Sequence, residues 1–257
     1  MNNIIEELPD ELLIRDHMYS SVGSLKQRVN ALDWPALIEH LEEYGWAVTA
    51  GLLTPQESES IAALYSELNY FRSRIVMERY RFGRGEYQYF QYPLPPQVEE
   101  LRVSLYRYLY DVANRWNEAM GIDVRYPTQL SEFLKRCHKA GQVRPTPLLL
   151  RYRDGDYNCL HQDLYGKHMF PLQATILLSH PHRNFSGGEF VLTEQRPRMQ
   201  SRVHVVPLSQ GDTVIFAVQH RPIKGTRGVY RVNLRHGVSE VKSGNRYALG
   251  MIFHDAR

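Results

Sequence analysis

The stretch Leu160-His161-Gln162-Asp163 holds the residue types best suited to chemistry in this chain of 257 residues. Side chains i and i+2 of a β-strand point to the same face, so His161 and Asp163 can reach one metal ion together. His-x-Asp alone is a weak signal in a chain with 11 histidines, because such pairs also arise by chance. A second histidine from a later strand of the same sheet would complete a facial set of two imidazoles and one carboxylate. That set leaves coordination positions open and suits Fe(II), whereas thiolates would favour zinc. His236 follows the run Tyr230-Arg231-Val232-Asn233-Leu234-Arg235 and is the leading candidate, with His220 as the alternative. His168 and His180 lie too close to the first pair to sit on a later strand, and His254 falls near the chain end.

Ten residues beyond His236, past Ser243-Gly244-Asn245, stands Arg246. A turn at those three residues would set His236 on one strand and Arg246 on its hairpin neighbour. A guanidinium there can grip a carboxylate through two parallel hydrogen bonds. The distal carboxylate of 2-oxoglutarate is the expected guest, with its keto-acid end on iron. Beside the ligand pair, Cys159 reads as a small buried residue rather than a redox group. Gly187-Gly188 reads as a turn or bulge that admits Glu189-Phe190 to the sheet.

The elements that must hold these residues change character along the chain. In the first half, Asp33 can cap a helix with apolar positions Leu37, Ile38, Leu41 and Tyr44, ended by Gly45. Thr54-Pro55-Gln56-Glu57 is a capping box with proline at the first helical position, and it opens a helix with Ile61, Leu64 and Leu68 on one face. After Pro95-Pro96, a long periodic stretch turns Leu101, Leu105, Leu109, Val112 and Trp116 inward. Trp34, Trp46 and Trp116 read as core or half-buried anchors. Residues 79–92 are rich in arginines and aromatics, and read either as a core-packing hairpin or as a substrate-facing flap that stacks on flat groups.

After residue 146, short apolar runs recur at 148–152, 158–160, 172–179, 189–193, 203–208, 213–218, 229–234 and 247–253, separated by turn residues. Such spacing implies a sandwich or barrel, here a jelly roll of two facing sheets with the helical half packed on one of them. The expected fold class is therefore α+β, in one domain over 1–257. Residues 1–146 form the mainly helical support and 147–257 the jelly-roll core.

Composition narrows the setting. A hydrophobic share of 43% is ordinary for a globular protein. No apolar run is long enough to cross a bilayer, so no membrane partner is expected. The start of the chain carries Glu6, Glu7, Asp10 and Glu11, which argues against a secretory signal. With 2 cysteines, Cys137 and Cys159, a disulfide framework is excluded and a reducing, cytoplasmic setting is expected. The net charge of +3 is modest. Basic residues cluster between Arg221 and Arg246, where only Glu240 opposes them, and at Arg196, Arg198 and Arg202. The cluster is either a solvated face or a positive field for an anionic substrate.

The series His161-x-Asp163, Gly187-Gly188-Glu189-Phe190, Gly211-Asp212-Thr213-Val214-Ile215-Phe216, His236 and Arg246 resembles the 2-oxoglutarate/Fe(II)-dependent oxygenases. The resemblance implies a double-stranded β-helix, a form of jelly roll. The stretch from His236 through Gly244-Asn245-Arg246-Tyr247 is similar to the prolyl-hydroxylase branch. Tyr152-Arg153-Asp154-Gly155 with His161-Gln162-Asp163 resembles the nucleic-acid demethylases of the AlkB type, although their further arginine pattern after the second histidine is not reproduced. Asn158 through Gly166, together with Ile252-Phe253-His254-Asp255, looks like a bacterial oxygenase family labelled as acting oxidatively on alkylated DNA. The resemblance implies Fe(II), 2-oxoglutarate and O2 as cofactor and co-substrates, and Tyr152 as a hydrogen-bond donor to 2-oxoglutarate. Three functions stay open: oxidative demethylation of alkylated DNA or RNA bases, hydroxylation of a protein or amino-acid side chain, and a non-enzymatic metal-binding jelly roll.

Overall fold

The computed structural model describes residues 23–226 and 228–257. The acidic start of the chain and Arg227, both used above, lie outside the described residues. The chain opens with helices α1 (Leu25–Ala31) and α2 (Trp34–Tyr44), strand β1 (Trp46–Thr49) and helix α3 (Pro55–Ala63). Strands β2 (Phe71–Val76), β3 (Gly83–Arg84) and β4 (Glu86–Phe90) precede helices α4 (Pro96–Ala119) and α5 (Leu130–Lys139). Then come β5 (Leu148–Arg153), β6 (Tyr157–His161), β7 (Leu172–Leu177), β8 (Phe185–Gly187), β9 (Phe190–Gln195) and β10 (Arg202–Val206). The last strands are β11 (Thr213–Ala217), β12 (His220–Gly225), β13 (Gly228–Val238) and β14 (Val241–Ile252).

These strands form two antiparallel sheets. The larger has eight strands in the order β1-β11-β7-β14-β5-β4-β2, with β8 attached to β14. The smaller has six in the order β10-β9-β13-β6-β3, with β12 attached to β13. The inner faces meet where Phe190, Leu192 and Val206 pack against Val214 and Phe216. The outer face of the larger sheet offers Leu149, Ala174, Ile176, Ile215, Leu249 and Met251 to the helices. From α4, Leu101, Leu105, Leu109, Val112 and Trp116 are all buried in that same core, as their helical spacing implied. Among the described residues, no helix is long and apolar enough to cross a membrane.

Local signals set the helix ends. The Asp33 side chain accepts from the Ala36 backbone, and Gly45 closes α2 in the left-handed conformation at φ 81°. Thr54 and Glu57 form both halves of a capping box. The helix it opens is shorter than its apolar pattern: α3 ends at Ala63, two 3-10 turns follow, and Leu68 is 72% exposed. Trp34 and Trp116 are buried and Trp46 is half-buried.

The first half also carries strands that its helical reading missed. β1, β2 and β4 extend the larger sheet and β3 joins the smaller one. Residues 79–92 are thus neither a hairpin of their own nor a free flap: they give β3 to the smaller sheet, beside β6, and β4 to the larger, between β2 and β5. β4 hides its strand character because its buried face is polar. Glu86 is held by Arg74 and Arg151, and Gln88 donates to the Tyr65 carbonyl at 2.7 Å. β12 contains Pro222, which is tolerated because β12 pairs only with β13. Gly187 and Gly188, at φ 69° and 64°, turn the chain between β8 and β9 as expected.

The chain end is tied to the helices by a buried network. Arg102 pairs with Asp255 at 2.8 Å, with both side chains fully buried. Asp255 also accepts from the Tyr92 hydroxyl at 2.9 Å and meets His138 Nε2 at 2.8 Å. Tyr92 is therefore tied into the scaffold through its hydroxyl. Removing one member of a buried pair strands the other charge. Arg102→Ala is expected to cost about 3–5 kcal/mol, read as a lowered midpoint in chemical denaturation.

Beside this network His254 is buried, its Nδ1 accepts from the Phe170 backbone at 3.1 Å, and burial pushes its pKa down to about 4. The unfolded chain binds a proton near pH 6.5 and the folded protein does not until about 4. The stability His254 contributes is present above pH 6.5 and is lost as pH falls toward 4. His254→Asn should flatten this slope by one proton, measured as unfolding free energy against pH.

Candidate metal centre

β6 and β13 are antiparallel neighbours, and their register sets His161 directly opposite His236. The two rings therefore lie side by side, with centroids 4.2 Å apart. Asp163 follows two residues after His161, just past the end of β6. One Asp163 oxygen is 3.7 Å from His161 Nε2 and the other is 3.6 Å from His236 Nε2. Two bonds of about 2.1 Å to a shared ion hold their donors within about 4.2 Å, so both separations fit one metal. One ligand atom from each of the three residues lies within 4.8 Å of the others. His220 stays outside this cluster, on β12 opposite Asn233.

The donor chemistry also fits. His161 Nδ1 lies 2.8 Å from the Cys159 carbonyl, so that nitrogen carries the proton and Nε2 keeps its lone pair for a metal. His236 is packed by Phe216 at 4.7 Å and Phe190 at 6.1 Å between ring centroids. Burial, and secondarily His161, hold its pKa well below the usual histidine value, which keeps the ring neutral. Gln162, between the two ligands, donates to Asn233 Oδ1 and to the Leu234 carbonyl, each at 2.7 Å. That clamp fixes the end of β6 against β13.

The cluster opens on a cavity of about 320 Å³ between the two sheets, lined by residues that include Tyr152 and Arg246. Arg246 is only 2% exposed, and no carboxylate among the described residues forms an ion pair with it. Its guanidinium carbon lies 5.5 Å from the Tyr152 ring centroid and 5.9 Å from that of Phe185. A buried cation without a counter-ion is costly, and one that faces a cavity is built to receive an anion. Gly188 makes room for it, since a Cβ there would meet Arg246 Cδ at 2.9 Å. Tyr152 is its register partner across β5 and β14. The Tyr152 hydroxyl accepts from Asn158 Nδ2 at 3.3 Å, which leaves its own proton free to donate, and burial pushes its pKa up to about 12.

Several expectations are corrected here. His236 and Arg246 are not hairpin neighbours in one sheet. The chain reverses at Ser239-Glu240, Ser243-Gly244-Asn245 lies inside β14, and the two residues face each other from opposite sheets. Cys159 is exposed: it shares the parity of His161 on β6, but the register shift between β6 and β13 separates it from the cavity face. Arg221 adds nothing to a surface field, since it is buried against Glu194 at 2.5 Å. Glu194 also engages Arg196 at 2.7 Å. The sequence reading missed Gln173 and Tyr165, which line the cavity; Gln173 Nε2 is buried without a partner. A lone glutamine in the apolar run Leu172–Leu177 was the available signal. Tyr87 and Tyr89 line the same wall, and burial keeps both phenols protonated.

Residues 85–256 match the model of the Oxygenase-NA family, described as an oxygenase catalysing oxidative methylation of damaged DNA. The chain belongs to that family. Its family description makes it an oxygenase, an oxidoreductase. This removes the reading as a non-enzymatic metal-binding jelly roll. An uncharacterized protein of Mycobacterium tuberculosis is 46% identical over 167 residues, covering 65% of this chain and 72% of the relative. Among solved structures, an oxidoreductase of the 2OG-Fe(II) oxygenase family from Burkholderia pseudomallei aligns with TM-score 0.52 and 16% identity, over 88% of this chain and 94% of that one. A prolyl hydroxylase from Trichoplax adhaerens, in complex with a hypoxia inducible factor peptide fragment, aligns with TM-score 0.52 and 14% identity, over 89% and 90%. Both likenesses show the double-stranded β-helix fold.

Loss of a charged, bidentate hydrogen bond costs about 1.5–3 kcal/mol, or roughly tenfold to a hundredfold in affinity. Arg246→Ala should raise the 2-oxoglutarate concentration needed for half-maximal succinate release by about that factor. Metal affinity, titrated with Mn(II), should stay unchanged. His161→Ala should instead abolish Mn(II) binding.

Proposed function

We propose that this oxygenase hydroxylates N-alkyl groups on damaged nucleic-acid bases, releasing the unmodified base. The observation that carries the co-substrate assignment is the buried, unpaired guanidinium of Arg246 in the same cavity as the imidazole–carboxylate cluster. In this reading His161, Asp163 and His236 hold Fe(II), while Arg246 and Tyr152 bind the distal carboxylate of 2-oxoglutarate. Residues 1–257 act as one oxygenase domain, working in the reducing cytoplasm.

When bound, iron with 2-oxoglutarate and O2 supplies the oxidising power that puts one oxygen atom into a C–H bond and leaves succinate and CO2. The chain's own residues then account for selectivity. Arg246 fixes the co-substrate at one end, so its reacting end is held at the metal ligands. Tyr152 donates its free proton to the same carboxylate. Tyr87, Tyr89, Phe82 and Leu150 give the cavity aromatic and apolar walls that limit the entry of water and accept a flat ring. Hydroxylation of an N-methyl carbon gives an N–CH2OH group, which collapses to formaldehyde and the N–H base.

Hydroxylation of a protein side chain is the second reading. The ten-residue spacing from His236 to Arg246 and the shared fold with a peptide-bound prolyl hydroxylase favour it. The two separate by product. The protein is incubated with Fe(II), 2-oxoglutarate, O2 and a single-stranded oligonucleotide carrying one N-methylated base. The expected result is loss of one methylene mass from the oligonucleotide, with formaldehyde and succinate in equal amounts. An unchanged oligonucleotide, with peptides in cell extract gaining one oxygen mass, would replace this reading with the second.

A further inference from the structure

Residues 77–85 form a rim of the cavity, and of these the chemistry derived so far uses only Phe82. Tyr80 and Phe82 lie outermost, 55% and 46% exposed, yet they stack on each other with ring centroids 5.6 Å apart and an interplanar angle of 21°. Phe82 lines the cavity as well, so the stacked pair is continuous with the metal centre. Exposed apolar side chains continue the rim at Tyr157, Leu160 and Leu164. Large exposed apolar patches of this kind mark binding sites.

The charge on the same segment is one-sided. Arg79, Arg81 and Arg84 are all exposed, and none forms an ion pair among the described residues. Glu78 is the one acidic residue exposed between Met77 and Gly85. The rim is also rigid. Phe82 donates its backbone N–H to Met77 at 3.1 Å and accepts from Cys159 at 2.9 Å, and Met77 donates to Gly85 at 3.0 Å. Gly83, at φ 127°, presses so closely on β6 that a Cβ would meet the Tyr157 carbonyl at 2.4 Å. The backbone that carries the aromatic pair is therefore anchored to β6 before any partner arrives.

We propose that this rim is a docking platform for single-stranded nucleic acid, on which a base next to the target stacks against Tyr80 while Arg79, Arg81 and Arg84 hold the flanking phosphates. The proposal rests on the nucleic-acid reading above and deepens it. Flat exposed rings interleaved with unpaired arginines suit a strand of bases and phosphates. An extended peptide would leave the arginines without partners unless it were acidic. A duplex has its base faces covered by their neighbours, so the platform selects an unpaired strand.

The test measures fluorescence anisotropy of a labelled single-stranded oligonucleotide carrying one N-methylated base, at low and rising salt, with the Mn(II)-loaded protein. Tyr80→Ala should weaken binding about tenfold, Tyr80→Phe should bind as the parent does, and a duplex of the same sequence should bind more weakly. Replacing Arg79, Arg81 and Arg84 together by alanine should flatten the slope of log affinity against log salt by about 2. Substrate-independent succinate release should be unchanged in Tyr80→Ala, which reports an intact metal centre. If the parent binds the strand and Tyr80→Ala binds equally well, the platform is refuted while the nucleic-acid reading stands. If Tyr80→Phe loses as much as Tyr80→Ala, the hydroxyl rather than the ring face is the contact and stacking is refuted. If the parent binds no single strand even at low salt, the nucleic-acid reading falls and the platform with it.

Discussion

The pairing of β6 with β13 is the constraint on which the site depends. Opposite residues on neighbouring antiparallel strands come within about 5 Å, and only the observed register puts two histidines opposite each other. A slip by one residue would turn every side chain of one strand to the other face. His161 would then leave the cavity and its neighbour Leu160 would turn toward it. The Gln162 contacts to Asn233 and Leu234 work against such a slip, because they exist only in this register. The residue inside the metal motif thus acts on the strand pairing as well as separating two ligands.

The rest of the site follows from two sheets facing one another. The smaller sheet carries the imidazoles, and the larger carries Arg246, Tyr152 and the phenols of Tyr87 and Tyr89. The candidate metal ligands and the proposed co-substrate clamp therefore come from different layers, with the cavity between them. The helices act at one remove. They cover the outer face of the larger sheet, so the inner face is free to present polar side chains without destabilising the core.

Legibility in the sequence tracked how local each signal was. The pair His161 and Asp163 needs only the alternation of one strand, and helix caps such as Asp33 and Thr54 need only a turn. Those features were readable directly. Arg246 was singled out by its distance from His236, but the sheet it occupies was not legible, since sequence spacing does not tell a paired hairpin from a crossing between layers. β4 escaped notice because Glu86 and Gln88 face the core, which inverts the usual pattern; only their distant partners Arg74, Arg151 and Tyr65 make that tolerable. Arg221 looked like surface charge for the same reason, its partner Glu194 lying 27 residues away. Gln173 depended on which face of a buried strand meets the cavity, and Cys159 on the register shift between β6 and β13; both are decided by the tertiary fold.

Arg246 has one more consequence. A guanidinium enclosed without a counter-ion lowers the stability of the empty protein, and a bound dicarboxylate relieves that cost only in the folded state. In the proposed role of Arg246, folding and dicarboxylate binding are thermodynamically linked, so the ligand would hold the chain folded as well as being held in position for reaction.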